Sequence, residues 1–196
     1  MLMKKLIFAL SLSCFMQVLA YGQSSSKNVK LTYADSINSG LIKEDLKKAS
    51  TPRITSVKVG KAQLTLNYYS PGVRGRVIWG GLVPFDQVWV TGAHSANKFE
   101  ISSDIKINGQ VIKAGIYGLF TIPGKEKWTF ILNTNHEQHL SDDYDQKDDV
   151  LRVDVTPTKS EATPRLTFEL KEVSKKEGEL IFKWENLSFS VPFTTI

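Results

Sequence analysis

A single cysteine occurs in the 196 residues, Cys14, and it lies inside the first apolar stretch of the chain. If that stretch is removed, no disulfide can staple the fold, and stability has to come from a hydrophobic core. Long apolar runs are missing elsewhere, so no other segment has the roughly 18–20 residues that a membrane-spanning helix needs. No Gly-x-Ser-x-Gly elbow, Gly-rich phosphate loop or His-Glu-x-x-His pattern is present, which removes the common sequence signatures of a nucleophile elbow, a nucleotide cradle and a zincin helix. Nor is there a long basic patch with interleaved aromatics, the usual footprint on single-stranded nucleic acid. No internal repeat appears, and no linker divides the chain.

The first stretch itself has the layout of a secretory signal peptide over residues 1–22. Lys4 and Lys5 open it, Leu6 to Leu19 form an apolar run, and small residues follow at Ala20 and Gly22. Cleavage fits after Ala20, with Val18 and Ala20 at the −3 and −1 places, or after Gly22. A membrane anchor is the other reading, but the run is shorter than a span requires. Cys14 raises the question of lipid attachment. It follows "LSLSC", with Ser11 where a lipoprotein signal prefers Leu, and more apolar sequence comes after it. The simpler reading is a cysteine within a discarded signal. Removing Lys4 and Lys5 lowers the formal charge from +5 to +3. A periplasmic or secreted protein is therefore expected, without stable membrane insertion and without a nucleic-acid partner.

Residues 23–28 are a polar, serine-rich lead-in. Residues 34–49, "ADSINSGLIKEDLKKA", mix helical spacing at Ile37, Leu41 and Leu46 with a mid-run Gly40, which costs about 1 kcal/mol against Ala in a helix. One short helix or two turns are expected there, and an extended piece near residues 29–33 is expected to join a sheet edge. From Ile54 onward the period becomes two: "ITSVKVG", "AQLTLNYY", "KWTFILN", "VLRVDVTPT", "RLTFELKEV" and "GELIFKWENLSFSVPF" alternate apolar and polar residues. Asn108-Gly109 supplies the two positive-φ positions of a type I′ hairpin. Short strands with regular turns and no intervening helices imply one all-β domain over residues 53–196, a two-sheet sandwich of jelly-roll type.

One segment does not read as a plain strand. Residues 70–94, "SPGVRGRVIWGGLVPFDQVWVTGAH", hold five glycines, two prolines, two arginines and two tryptophans. Arg74 and Arg76 are two apart, so on an extended backbone both face one side and form an anion clamp. Trp79 and Trp89 offer stacking surfaces, Gly80-Gly81 permits close backbone approach, and Thr91 and His94 add a hydroxyl and an imidazole. The competing reading is a crossover between sheets, with arginines paired to acids and tryptophans in the core. His136 and His139, in "HEQHLSDDYD", sit three apart beside carboxylates. That spacing differs from the four-apart helical pair of zincins, and the acidic run lacks the glycine and alternate spacing of an EF-hand loop. No metal or cofactor is expected.

The stretches "YSPGVRGRVIWGGLVPFDQVWVTGAHSA", "INGQVIKAGIYGLFTIPGKEKWTFILN" and "KDDVLRVDVTP" resemble a family of exported bacterial proteins common in Bacteroidetes, the domain of unknown function number twenty-nine eleven. The resemblance runs from about Arg53 to Phe193 and implies a periplasmic or secreted β domain with no assigned activity. Two departures stand out. The family pattern reads Trp-Arg-Thr-Gly-Ala-Asn-Glu-Ala where this chain has Trp89 to Ala96, with Val90, His94 and Ser95 in place of Arg, Asn and Glu. It reads Gln-Trp-Gly and then a tyrosine where this chain has Gln138, His139, Leu140 and, further on, Tyr144.

Three functions follow as expectations. The first is an exported binding domain for a small polar or anionic ligand such as a glycan fragment. Its groove is built by Arg74, Arg76, Trp79, Trp89, Thr91 and His94 and closed by His136, His139 and Tyr144. The second is a hydrolase, using His94 or His136 within about 3.2 Å of a nucleophile or a carboxylate-poised water. The third is a structural or protein-interaction β domain without a pocket.

Overall fold

In the computed structural model, which describes residues 31–196, the alternating stretches fold as ten strands, every pair of them antiparallel. The expected signal peptide and the polar lead-in lie outside the described residues. Strands β1 (Thr51–Val59) and β2 (Ala62–Ser70) form a hairpin around Gly60, whose φ is +55°. After a long connection come β3 (Asn97–Ile101), β4 (Ile105–Ile107) and β5 (Gln110–Ile112). Asn108 and Gly109, at φ 49° and 80°, make the expected tight turn between β4 and β5. Then follow β6 (Gly115–Ile122), β7 (Trp128–Asn133), β8 (Asp149–Val155), β9 (Thr158–Glu172) and β10 (Glu177–Thr195).

Two sheets result, in the orders β1-β2-β3-β6-β7-β8 and β5-β4-β10-β9, a β-sandwich as the period-two pattern implies. Six of the eight neighbouring pairs join strands consecutive in sequence, so hairpins set most of the order. The exceptions are β3 beside β6 and β4 beside β10. Inward residues of the larger sheet, Leu64, Leu66, Phe99, Phe130 and Leu132, meet Leu166, Phe168, Phe182, Phe189 and Val191 of the smaller one. All four tryptophans join this core as one aromatic cluster. Trp89 stacks on Trp184 at 5.7 Å and 20°, and Trp79 meets Trp128 edge-on at 4.8 Å.

The N-terminal segment holds the expected short helix but, in its described part, not the expected edge strand. Thr32 and Asp35 form a reciprocal capping box that starts α1 at Tyr33 (Tyr33–Asn38), and Gly40 at φ +73° follows the helix end. Leu31 and Thr32 are not in a strand, so the described part of the expected edge strand is instead a helix entry. The capping hydrogen bonds hold the chain in a helical turn, which an edge strand cannot accommodate. Helical structure covers only the first third of residues 34–49.

A buried arginine anchors this segment. Arg165 on β9 is fully buried, pairs with Asp45 at 2.8 Å, and donates to the carbonyls of Lys47, Ser70 and Ala49. Asn38 brackets the same strand, accepting from Arg165 N–H and donating to Arg165 C=O, both at 2.8 Å. No helix among the described residues is long and apolar enough to cross a membrane.

Candidate functional site

Residues 71–96, the connection from β2 to β3, are irregular yet held at both ends and in the middle. Isolated bridges tie Gly72 to Arg165, Trp89 to Thr121 and Ser95 to His139. A structureless connection of this length inside a compact domain is uncommon and usually serves a function. It also contains four non-glycine residues with left-handed backbone, Arg74, Asp86, Thr91 and His94. Such conformations cost of order 1–3 kcal/mol each and persist only where surrounding contacts impose them.

The expected arginine clamp does not form. Residues 73–76 make a turn, with Arg74 at φ 50°, so the two-apart rule for extended chains no longer applies. Arg74 borders a depression with Thr163, Pro164 and Glu185. Arg76 faces a different hollow, and its guanidinium donates to the carbonyls of Val73 and Gly72. Neither arginine has a carboxylate partner among the described residues. The tryptophans are half-buried core residues rather than free stacking faces, and Trp79 Nε1 donates to Glu185 at 3.1 Å. Gly80 serves its own turn: at φ +76°, a Cβ there would stand 2.9 Å from the Phe85 ring. Thr91 is fully buried, with its hydroxyl 3.0 Å from that of Thr121, and takes no part in a groove.

What does come together is the set of histidines. His94, His136 and His139, all three in the chain, line one open groove of about 520 Å³ with Tyr69, Ser95, Lys98, Glu137 and Gln138. The backbone makes this junction. Ala96 N–H donates to Gln138 C=O at 3.0 Å and Leu140 N–H to His94 C=O at 2.9 Å, so the two segments meet as an antiparallel bridge. His94 and Leu140, joined by that bond, are both left-handed, at φ 69° and 48°. Gly118 on β6 lets the His136 backbone lie flat on the sheet, because a Cβ there would stand 2.9 Å from Asn135 O and 3.3 Å from His136 Cα.

Hydrogen bonding in the groove is incomplete. Gln138 is only 6% exposed, and its Nε2 donates to Asn135 O while its Oε1 has no partner. His136 Nδ1 is also buried and unpartnered. Buried polar atoms left this way are normally satisfied by ordered water or a ligand. Lys98 pairs with Glu137 at 2.9 Å, and the lysine beside it holds the Glu137 carboxyl below its ordinary range, by hydrogen bond first and charge second. His139 Nδ1 lies 2.9 Å from Asp142 Oδ2 on the exposed loop. No hydrogen bond joins His94 or His136 to a hydroxyl or carboxylate among the described residues, and no three side chains among them are arranged to hold a metal.

Tyr144 does not close the groove. Its hydroxyl donates to Asp149 at 2.6 Å and accepts from Arg152 at 3.0 Å, while Arg152 also reaches Asp149 at 2.7 Å. Burial first, then the hydrogen bond to Asp149, push the phenol pKa well above its ordinary value. Asn133 donates to the other Asp149 oxygen at 2.7 Å. This network fastens the loop that carries His136 and His139 to the start of β8. Tyr69, Lys98 and Gln138 were not legible as groove residues. The first two occupy ordinary polar-facing strand positions, and Gln138 sits in a loop whose acids draw more notice.

The departures noted in the sequence fall on this groove. His94, Ser95 and His139 line it, and Ser95 faces His139 across the isolated bridge. Val90 instead joins a small buried cluster with Ala96, Phe120 and Ile131. Comparison with curated proteins brings no match, and comparison with solved structures brings none either. A family does match over residues 50–193, most of the sandwich, and the chain belongs to it: Protein of unknown function (DUF2911).

Proposed function

We propose that this protein is an exported binding domain for a small polar or anionic ligand, held in the three-histidine groove. The observation that supports this reading is the convergence of His94, His136, His139 and Lys98 on one open surface. Imidazoles and an ammonium offer N–H donors to oxygens, while the exposed Glu137 carboxylate offers an acceptor to hydroxyls. A hydroxylated acid or an acidic sugar fragment carries both kinds of group. Export rests on the lysine-led apolar run and the small residues at its end.

The hydrolase reading has less support. The one histidine with a carboxylate partner is His139, which is exposed and has no hydroxyl hydrogen-bonded to its ring. Calorimetry with a panel of sugar acids, neutral sugars and hydroxy acids tests the proposal, on the parent and on His139→Ala and Lys98→Met. The expected result is binding of an acidic member that weakens at least ~10-fold in either variant, the loss of one charge-assisted hydrogen bond. Binding unchanged in both variants, or no binding at ~10 mM, removes the groove as the site.

A further inference from the structure

His94 is the ridge between two cavities. On its far side lies a more enclosed hollow of about 330 Å³, walled by Lys48, Arg76, Trp89, His94, Leu140 and Trp184. Its size falls at the low end of ligand pockets, which run from about 300 to 1,000 Å³ and are mostly apolar with a few convergent polar groups. The walls fit that description. Trp89, Leu82 and Leu140 supply apolar surface, backed by buried Val83 and Trp184, and Leu82 and Leu140 form a lip, 46% and 37% exposed.

The polar groups are chiefly donors. Lys48 and Arg76 carry no acceptor atom, neither is ion-paired among the described residues, and no Asp, Glu, Asn or Gln lines the hollow. Trp184 is fully buried and stacks on Trp89 at 5.7 Å, so it backs the hollow without opening a polar atom to it. Sugar hydroxyls need acceptors as well as donors, which these walls scarcely provide. A bare inorganic anion would leave the indole and leucine surfaces uncovered.

From this we infer that the hollow binds a small carboxylate with an apolar body, a single ring or a short alkyl chain. Its carboxylate meets Arg76 and Lys48 at the rim, and its body lies on Trp89 between Leu82 and Leu140. The hollow shares only His94 with the histidine groove, so either can fail without the other.

The test is an NMR titration of the full exported chain with hexanoate and benzoate, following the four indole N–H resonances. Benzamide, benzyl alcohol, inorganic phosphate and N-acetylglucosamine serve as comparisons. The carboxylates are expected to move the Trp89 resonance, assigned with Trp89→Phe, in a saturable way. Arg76→Gln weakens this at least ~10-fold, as expected for one charge-assisted pair. Because Arg76 also ties its own turn, Leu82→Glu supplies an independent check: a carboxylate at the lip repels the ligand and leaves Arg76 in place. His139→Ala changes nothing. The inference is overturned if benzamide or phosphate binds as tightly as benzoate, or if neither Arg76→Gln nor Leu82→Glu weakens binding. It is equally overturned if His139→Ala abolishes the shift, or if no shift occurs at ~10 mM ligand, weaker than the millimolar range.

Discussion

Asp45→Asn is the sharpest test of how the N-terminal segment is held. The Arg165 side chain is 0% exposed and that of Asp45 9%, with 2.8 Å between Nη2 and Oδ1. At an effective dielectric near 20, two unit charges at that separation attract by ~6 kcal/mol, most of which offsets the cost of taking both out of water. The asparagine keeps shape and an acceptor but removes the charge, leaving a guanidinium buried among neutral carbonyls. Removing one partner of a buried pair costs about 3–5 kcal/mol. The lower end applies here, because Arg165 keeps the carbonyls of Lys47, Ser70 and Ala49 at 2.5–3.3 Å. A loss of ~3 kcal/mol lowers Tm by roughly 6–12 °C in a domain of this size. The same change loosens the segment before the sandwich melts, so trypsin is expected to cut at Lys43, Lys47 or Lys48 in the variant under native conditions. Exposed Glu44→Gln, one residue away, serves as the control and stays within ~0.5 kcal/mol of the parent. Equal melting points and equal protease resistance of parent and Asp45→Asn would refute the view that this ion pair fastens residues 31–50 to β9.

Other consequences are open to measurement. Gly118→Ala places a Cβ 2.7 Å from the Phe120 ring and 2.9 Å from Asn135 O; it is expected to cost about 1–3 kcal/mol by overpacking in urea melts and to weaken ligand binding in the histidine groove. Tyr144→Phe removes a hydrogen bond to a carboxylate, with an expected loss of about 1–2 kcal/mol, and amide exchange should quicken across residues 135–148 while β7 stays protected. Asp35 is raised by partial burial, but hydrogen bonds from Thr32 and the charge and hydrogen bond of Arg53 more than offset this and hold it below its ordinary 3.8. A depressed folded pKa means stabilisation that is present above the ordinary range and lost as pH falls through the lower folded value. Amide exchange in α1 should therefore rise only below about pH 3.8, and Arg53→Gln should move that onset to higher pH.

The β-sandwich was legible because each strand reports its burial through period two. "AQLTLNYY" and "RLTFELKEV" hide alternate residues from water, and the hairpin at Asn108-Gly109 was readable from the two positive-φ positions it requires. Thr32-x-x-Asp35 carried a helix start that competes with the expected edge strand. The candidate site was less legible. Of its nine expected residues, His94, His136 and His139 meet in one groove. Arg76, Trp89 and His94 meet in the hollow beside it. Arg74, Trp79, Thr91 and Tyr144 belong to neither. Arg74 and Arg76 read as a pair on an extended chain, and the turn at residues 73–76 separates them. Arg165 gave no sign of burial, since an arginine among alternating residues reads as solvent-facing until the segment that covers it is in place.

By itself the sequence determined the secondary structure class, the absence of a disulfide from the sandwich, and the ingredients of the long connection between β2 and β3. Those properties depend on neighbours along the chain, where side-chain direction follows from local backbone geometry. Which ingredients face each other was decided only by the tertiary structure. The partner of His94 lies more than forty residues away, and it arrives because β3 begins opposite Leu119 of β6 and β7 ends opposite Gly118, so the two connecting segments meet over the middle of β6. Side chains on irregular backbone have no period to declare their direction, so only the packed sheets could say that the histidines gather while the arginines part.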